Sequence, residues 1–141
     1  MDTILNDEAH IIGSYKKYPA ALKEGKNATV FDESGKKYID FGSGIGVNCL
    51  GYSDPEWADA VGEQAKRLSH VSNYYMNENP SLLAKALCEA TGFKKVFFCN
   101  SGAEANECAI KIARKYSFDN YGADRHNIIT LKNSFHGRTV T

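Results

Sequence analysis

Ser101, Gly102 and Ala103 form a turn of small residues between a short apolar run, Val96 to Cys99, and a helical pattern that begins near Glu104. The first amide N–H groups of a helix have no intrahelical acceptor, and the helix dipole adds partial positive charge at that end. A phosphate placed there is held by backbone, provided the side chains at the turn are small. Ser101 adds a hydroxyl. The same four residues also spell a capping box, in which Ser101 caps the helix and Glu104 reaches back. Capping and phosphate binding both fit and can coexist, because a ligand uses amides that the cap leaves free. Phe135, His136, Gly137 and Arg138 form a second constellation. Phe135 offers a flat face for a ring, Arg138 a planar fork for a carboxylate, and Gly137 a backbone that can turn close to a ligand. The same tetrapeptide also reads as a loop with one buried aromatic and one surface arginine.

Other patterns offer less. Gly42-Ser43-Gly44-Ile45-Gly46 does not complete a dinucleotide fingerprint, because the required last glycine is Val47 or Cys49 and no helix starts there. A flexible connector is expected instead. His10, His70, His126 and His136 show no metal-ligand spacing with one another or with Cys49, Cys88, Cys99 and Cys108, so no metal site is expected. No nucleophile elbow or Walker loop occurs. The aromatic clusters Tyr15 to Tyr18 and Ser72 to Tyr75 read as packing residues.

The elements that must position these residues follow from periodicity. Ile4, Leu5, Glu8, Ile11 and Ile12 suggest a short helix. Strands are expected over Ala20 to Glu24, Ala28 to Phe31 and Lys36 to Phe41, the last two joined as a hairpin by the turn Asp32 to Gly35. Ser53 and Glu56, with Pro55 between them, signal a helix start, and Trp57, Ala58, Val61, Ala65 and Leu68 then recur at helical spacing. A further helix is expected from Pro80, with Leu82, Leu83, Ala86, Leu87 and Ala90 on one face. The helix after Ser101 is expected to turn Ala105, Ala109, Ile112, Ala113 and Tyr116 inward and to pair Glu107 with Lys111. Val96 to Cys99 and Asn127 to Leu131 read as buried strands. Alternating helices and apolar strands from Asp54 onward argue for a mostly parallel α/β sheet, in which ligands bind beyond the carboxyl ends of strands. Both constellations lie at such ends.

Bulk properties set limits. The 141 residues suffice for one domain with a core, and 43% hydrophobic with 24% charged residues is ordinary for a globular protein. Seventeen basic residues balance seventeen acidic ones, which gives no long-range field for nucleic acid or an anionic membrane. No apolar run approaches bilayer length, and the first residues lack a signal layout. Four cysteines without a Cys-x-x-Cys pair suggest reduced thiols and a cytoplasmic location. Asn27-Ala28-Thr29 is a sequon by chance on this reading.

A phosphate seat beside a ring-and-carboxylate loop suggests pyridoxal phosphate with an amino-acid substrate. From about Tyr15 to Thr141 the chain resembles the N-terminal third of the class-III pyridoxal-phosphate aminotransferases, particularly their acetylornithine branch. The resemblance rests on Tyr38 to Phe41, Gly46 to Asn48, His70 to Asn73, Phe97 to Glu107, Lys111 to Lys115 and Ser134 to Thr139. It implies a fold-type-I transferase. Residues 1–50 would be a helix-plus-hairpin part of the small domain, and residues 51–141 the beginning of the cofactor-binding large domain. It implies that Ser101, Gly102 and Ala103 bind the cofactor phosphate, that Phe135 stacks on the ring, that Arg138 pairs with the substrate carboxylate, and that Tyr15 lies near the substrate entrance. Its partners would be small amino-acid and 2-oxo-acid substrates, N-acetylornithine and 2-oxoglutarate, and a second copy of the full-length chain in a homodimer. Lys17, Tyr52 and Asp54 stand where that branch usually has an arginine and two histidines, which leaves substrate choice among related amines open.

The family's Schiff-base lysine lies downstream of Thr141, as does the acidic partner of the pyridine nitrogen. No residue here takes the catalytic role, and the 141 residues alone are expected to be inactive. Unpartnered apolar faces are expected to leave them aggregated or partly molten. A non-catalytic binding module built from the same part of the fold is the competing expectation.

Overall fold

The computed structural model describes residues 2–139 and divides into two compact units, Met1–Ser72 and Asn73–Thr141.

The first unit opens with helix α1 (Thr3–His10), capped by the Asp2 carboxylate on the Leu5 N–H. Three strands follow, β1 (Leu22–Lys26), β2 (Thr29–Asp32) and β3 (Lys37–Ile39), in an antiparallel sheet of order β1-β2-β3. The hairpin expected between β2 and β3 is present, whereas β1 runs two residues later than the apolar run 20–24 suggests. The reason is the turn: Lys26 pairs with Thr29 across Asn27 and Ala28, and Asn27 takes φ 53°, a left-handed geometry that asparagine tolerates better than most residues. Asp32 closes the next turn. Its Oδ1 accepts the N–H groups of Ser34 and Lys36 and the Ser34 hydroxyl, and its Oδ2 accepts the Tyr38 hydroxyl at 2.7 Å. Val30, in the central strand, is the one buried apolar residue among those described.

Asp40 follows β3 and organises what comes next. Its Oδ1 accepts the N–H groups of Gly42 and Ser43, and its Oδ2 the Tyr52 hydroxyl at 2.8 Å. These contacts, the Tyr52 hydroxyl foremost, hold its carboxyl below the ordinary aspartate range. They pin a four-residue helical turn, α2 (Ser43–Gly46), that is left-handed at Gly44 (φ 62°) and Ile45 (φ 64°). The connector expected over 42–46 takes the geometry of a hydrogen-bonded turn. The β-branched Ile45 stands there at a cost of about 1–2 kcal/mol. Asn27 and Tyr52 exchange backbone hydrogen bonds and tie the segment back to the β1–β2 turn. Gly51 (φ 82°) is required at that crossing, since a Cβ there would meet the Asn27 carbonyl oxygen at 2.9 Å. Helix α3 (Pro55–Arg67) completes the unit. Its cap is Asp54, not Ser53, because the Asp54 carboxylate reaches the Trp57 N–H at 2.8 Å.

In the second unit, α4 (Glu78–Thr91) is capped by Asn77, begins two residues before Pro80, and ends on Gly92 in the left-handed conformation. Helix α5 (Gly102–Tyr121) begins at Ser101, as the capping pattern predicts. The two expected strands, 96–99 and 127–131, do not form: among the described residues neither is hydrogen-bonded to a neighbouring strand. A strand is stabilised only as part of a ladder, and a parallel partner is distant in sequence. Phe97 and Ile129 are accordingly exposed, at 62% and 96%. The side of α5 expected to face inward, Ala105, Ala109, Ile112, Ala113 and Tyr116, is exposed as well, whereas Ala103, Asn106, Glu107, Cys108 and Ile110 are half-buried. The chain presents 12922 Å² of accessible surface. Two compact bodies of half its mass would present about 8,700 Å².

Candidate functional site

The start of α5 realises the capping box in a shifted form. The Ser101 hydroxyl oxygen accepts the Glu104 N–H at 3.2 Å, and the Glu104 carboxylate accepts the backbone N–H of Asn100 at 2.7 Å, one residue before the cap. Those contacts, the Asn100 N–H foremost, hold the Glu104 carboxyl below its ordinary range. The Ser101 hydroxyl also lies 3.3 Å from Glu104 Oε2 and can donate to it. The Ala105 N–H makes the first intrahelical bond, to the Ser101 carbonyl at 3.1 Å. Among the described residues the N–H groups of Gly102 and Ala103 have no acceptor. Open space surrounds Gly102: a Cβ there would meet nothing within 4 Å. The cap thus leaves two amides without an acceptor at the positive end of a 20-residue helix.

The 134–139 loop is brought directly onto this helix start. Gly137, at φ 106°, lies so close that a Cβ would stand 2.5 Å from the Ala103 Cβ and 3.0 Å from its Cα. The Asn106 side-chain amide donates to the His136 carbonyl at 3.2 Å. The Thr139 hydroxyl donates to the Glu107 carboxylate, which also holds Lys111 at 3.2 Å as the i,i+4 spacing predicts. Ala103, Asn106 and Glu107 are spaced i, i+3, i+4, so one face of α5 receives the whole loop. Phe135 is 76% exposed, which leaves its ring open to stacking. Arg138 is exposed on the same loop, two residues after the His136 carbonyl that Asn106 holds.

Ser101, Gly102, Ala103, Phe135 and Arg138 are thus gathered by one helix start and one docked loop. Their donor set fits pyridoxal phosphate with an amino-acid substrate: free amides for the cofactor's phosphate, an aromatic face for its ring, and a guanidinium for the substrate's carboxylate. Tyr15 belongs to the other unit, where it lines a cavity of about 390 Å³ with Asp7, Ile11 and Lys17. Sequence reasoning missed the loop contacts of Asn106 and Glu107 and the seat of Gly137 on Ala103. The usable signal was the i, i+3, i+4 spacing of a small and two polar residues, facing a loop with glycine at its tip. Among the described residues no three His, Cys, Asp or Glu side chains are grouped to hold a metal ion. No described helix is long and apolar enough to cross a membrane.

Known proteins similar to this chain come from one family. A family model described as aminotransferase class-III matches residues 12–141. The chain is 54% identical over 135 residues to the acetylornithine aminotransferase of Haemophilus ducreyi, covering 96% of this chain and 34% of that protein. The solved structure of N-acetylornithine aminotransferase from Stenotrophomonas maltophilia superposes with a TM-score of 0.84 at 38% identity, over 95% of this chain and 36% of that one. Ornithine aminotransferase from Toxoplasma gondii superposes with a TM-score of 0.89 at 29% identity, over 98% of this chain and 33% of that one. The chain therefore spans about a third of the length of these relatives. The likeness carries the fold: this is the N-terminal part of a fold-type-I pyridoxal-phosphate-dependent transferase.

Proposed function

The chain belongs to the class-III aminotransferase family, and from that premise we propose that it supplies the phosphate seat, ring platform and carboxylate clamp of an acetylornithine aminotransferase. The reaction moves an amino group from N-acetylornithine to 2-oxoglutarate, in arginine biosynthesis, within a cytoplasmic homodimer of the full-length protein. The observation that carries this reading is the docking of the 134–139 loop on a helix start with two free amides. On this reading residues 1–50 belong to the small domain and residues 51–141 begin the large one.

Pyridoxal phosphate, when bound, would supply the electron sink that makes the proton on the amine-bearing carbon removable. The residues of this chain bind and orient. The amides of Gly102 and Ala103, with the helix dipole behind them, take the phosphate, and the Ser101 hydroxyl adds a donor by turning away from Glu104. Phe135 stacks on one ring face and excludes water from it. Arg138 takes the substrate carboxylate in a bidentate pair, which fixes the amine end relative to the ring. Tyr15 is assigned to the substrate entrance of the full-length protein by the family resemblance alone. None of these groups moves the proton. That step belongs to the Schiff-base lysine of the full-length family protein, and the 141-residue chain alone is inactive on this reading.

The test is an amino-transfer assay on the full-length protein with N-acetylornithine, ornithine, succinylornithine and 4-aminobutyrate as donors to 2-oxoglutarate. N-acetylornithine should have the highest kcat/KM. A preference for ornithine would place the protein with the related enzymes, a reading favoured by its structural likeness to an ornithine aminotransferase. No turnover with any donor would remove the enzyme reading.

A further inference from the structure

We propose that Asn106 is a positioning residue: together with the glycine seat at Gly137 it sets where Phe135 and Arg138 stand relative to the phosphate amides. The inference rests on the cofactor reading above and deepens it. Asn106 lies one helical turn beyond the free amides of Gly102 and Ala103, on the half-buried face of α5. Its amide donates to a carbonyl thirty residues away, at 3.2 Å. Most asparagine side chains inside helices bond locally. Asn120 of the same helix does so, donating to the Tyr116 carbonyl at 2.8 Å. Asn106 instead spends its donor on the peptide between His136 and Gly137.

That peptide is the pivot of the loop. Phe135 precedes it and Arg138 follows it, so fixing the His136 carbonyl limits the swing of both. Gly137 lets the pivot approach within contact of Ala103, at a φ of 106° that other residues rarely adopt. The Asn106 hydrogen bond on one side of Gly137, with that of Thr139 to Glu107 on the other, supplies the direction that this close contact leaves undefined. Phosphate amides, ring platform and carboxylate clamp are then held by one rigid helix. A near-attack geometry needs that arrangement, because a displacement of about 1 Å costs on the order of a hundredfold in rate.

The test uses the full-length protein with Asn106→Leu, which keeps the shape and removes the donor, and Asn120→Leu as the control on the same helix. Three readouts distinguish positioning from general stability. In the cofactor-free protein, amide exchange of residues 134–138 should rise about fivefold in Asn106→Leu, as for one lost hydrogen bond, and stay unchanged in Asn120→Leu. The dissociation constant for pyridoxal phosphate, read by fluorescence quenching, should rise by a similar factor in Asn106→Leu alone. The KM for a carboxylate-bearing amine donor should rise, while that for a primary amine without a carboxylate stays put. Equal exchange and equal cofactor affinity in Asn106→Leu and wild type would overturn the proposal. Phe135→Ala separates this failure from failure of the cofactor reading. If Phe135→Ala weakens cofactor binding and Asn106→Leu does not, only the positioning role falls. If neither does, the cofactor reading falls first.

Discussion

Helices α3 and α5 start with similar sequence grammar and finish as opposite electrostatic objects. Both carry a side-chain cap on the third amide and an acid in the first turn. At α3 the cap is the Asp54 carboxylate, the first helical residue is Pro55, which has no N–H, and Glu56 follows. That end is already neutralised and repels anions. At α5 the cap is the neutral Ser101, the first two residues are Gly102 and Ala103 with free amides, and the nearby acid, Glu104, is turned back onto Asn100. On the proposed reading, the α5 start serves as a phosphate seat through what it lacks: no proline, no anionic cap, no side chain on Gly102.

The comparison can be broken most strongly by making α5 resemble α3. Ala103→Asp in the full-length protein brings a carboxylate to the free amides and should weaken cofactor binding by about 2 kcal/mol or more, roughly thirtyfold. Ala103→Asn has the same bulk against Gly137 without the charge, and should lose clearly less in the same equilibrium titration. Equal losses would mean that crowding of the loop, not charge, governs the seat.

A smaller effect sharpens the contrast. Ser101→Ala and Asp54→Ala each remove one cap and should each lower the stability of the full-length protein by about 1 kcal/mol in urea titrations. Only Ser101→Ala should also reduce cofactor affinity. A matching loss of affinity in Asp54→Ala would erase the proposed difference between the two helix starts.

The smallest effect is on pH. Glu104 has its folded-state pKa depressed below the ordinary 4.5 by the Asn100 N–H. Its contribution is therefore complete above that value and is lost as pH falls through the depressed one. Stability of the cofactor-free protein should decline more steeply below pH 4.5 in wild type than in Glu104→Gln. Superimposable pH profiles would show that the back-bond to Asn100 contributes nothing.

What could be read in the chain divides by sequence distance. The Ser101 cap, the Asp32 turn, the β2–β3 hairpin and the Glu107–Lys111 pair were legible because each depends on residues a few positions apart. Ser53 was the wrong cap only because Asp54 offers a stronger acceptor one residue later. The strands at 96–99 and 127–131 have apolar sequences but need ladder partners far away in the chain, and the described residues provide none. The lock of Asn106 and Gly137 escaped for a related reason. It joins positions about thirty apart, and helical periodicity alone pointed to the alternative face of Ala105, Ala109 and Ile112.

The sheet of the first unit has a kinetic consequence. All its pairings, including the bridge from Asn27 to Tyr52, lie within a short stretch of chain. Hairpins of this kind close in on the order of 1–10 μs. Synthesis at about 5–20 residues per second needs on the order of a second to add α3 alone. The pairings of β1 to β3 and the Asp40-pinned turn therefore close far faster than the chain grows by one helix. The exposed faces of α3, α4 and α5 have no such local partner, so it is they, and not the sheet, that stay open for longest during synthesis.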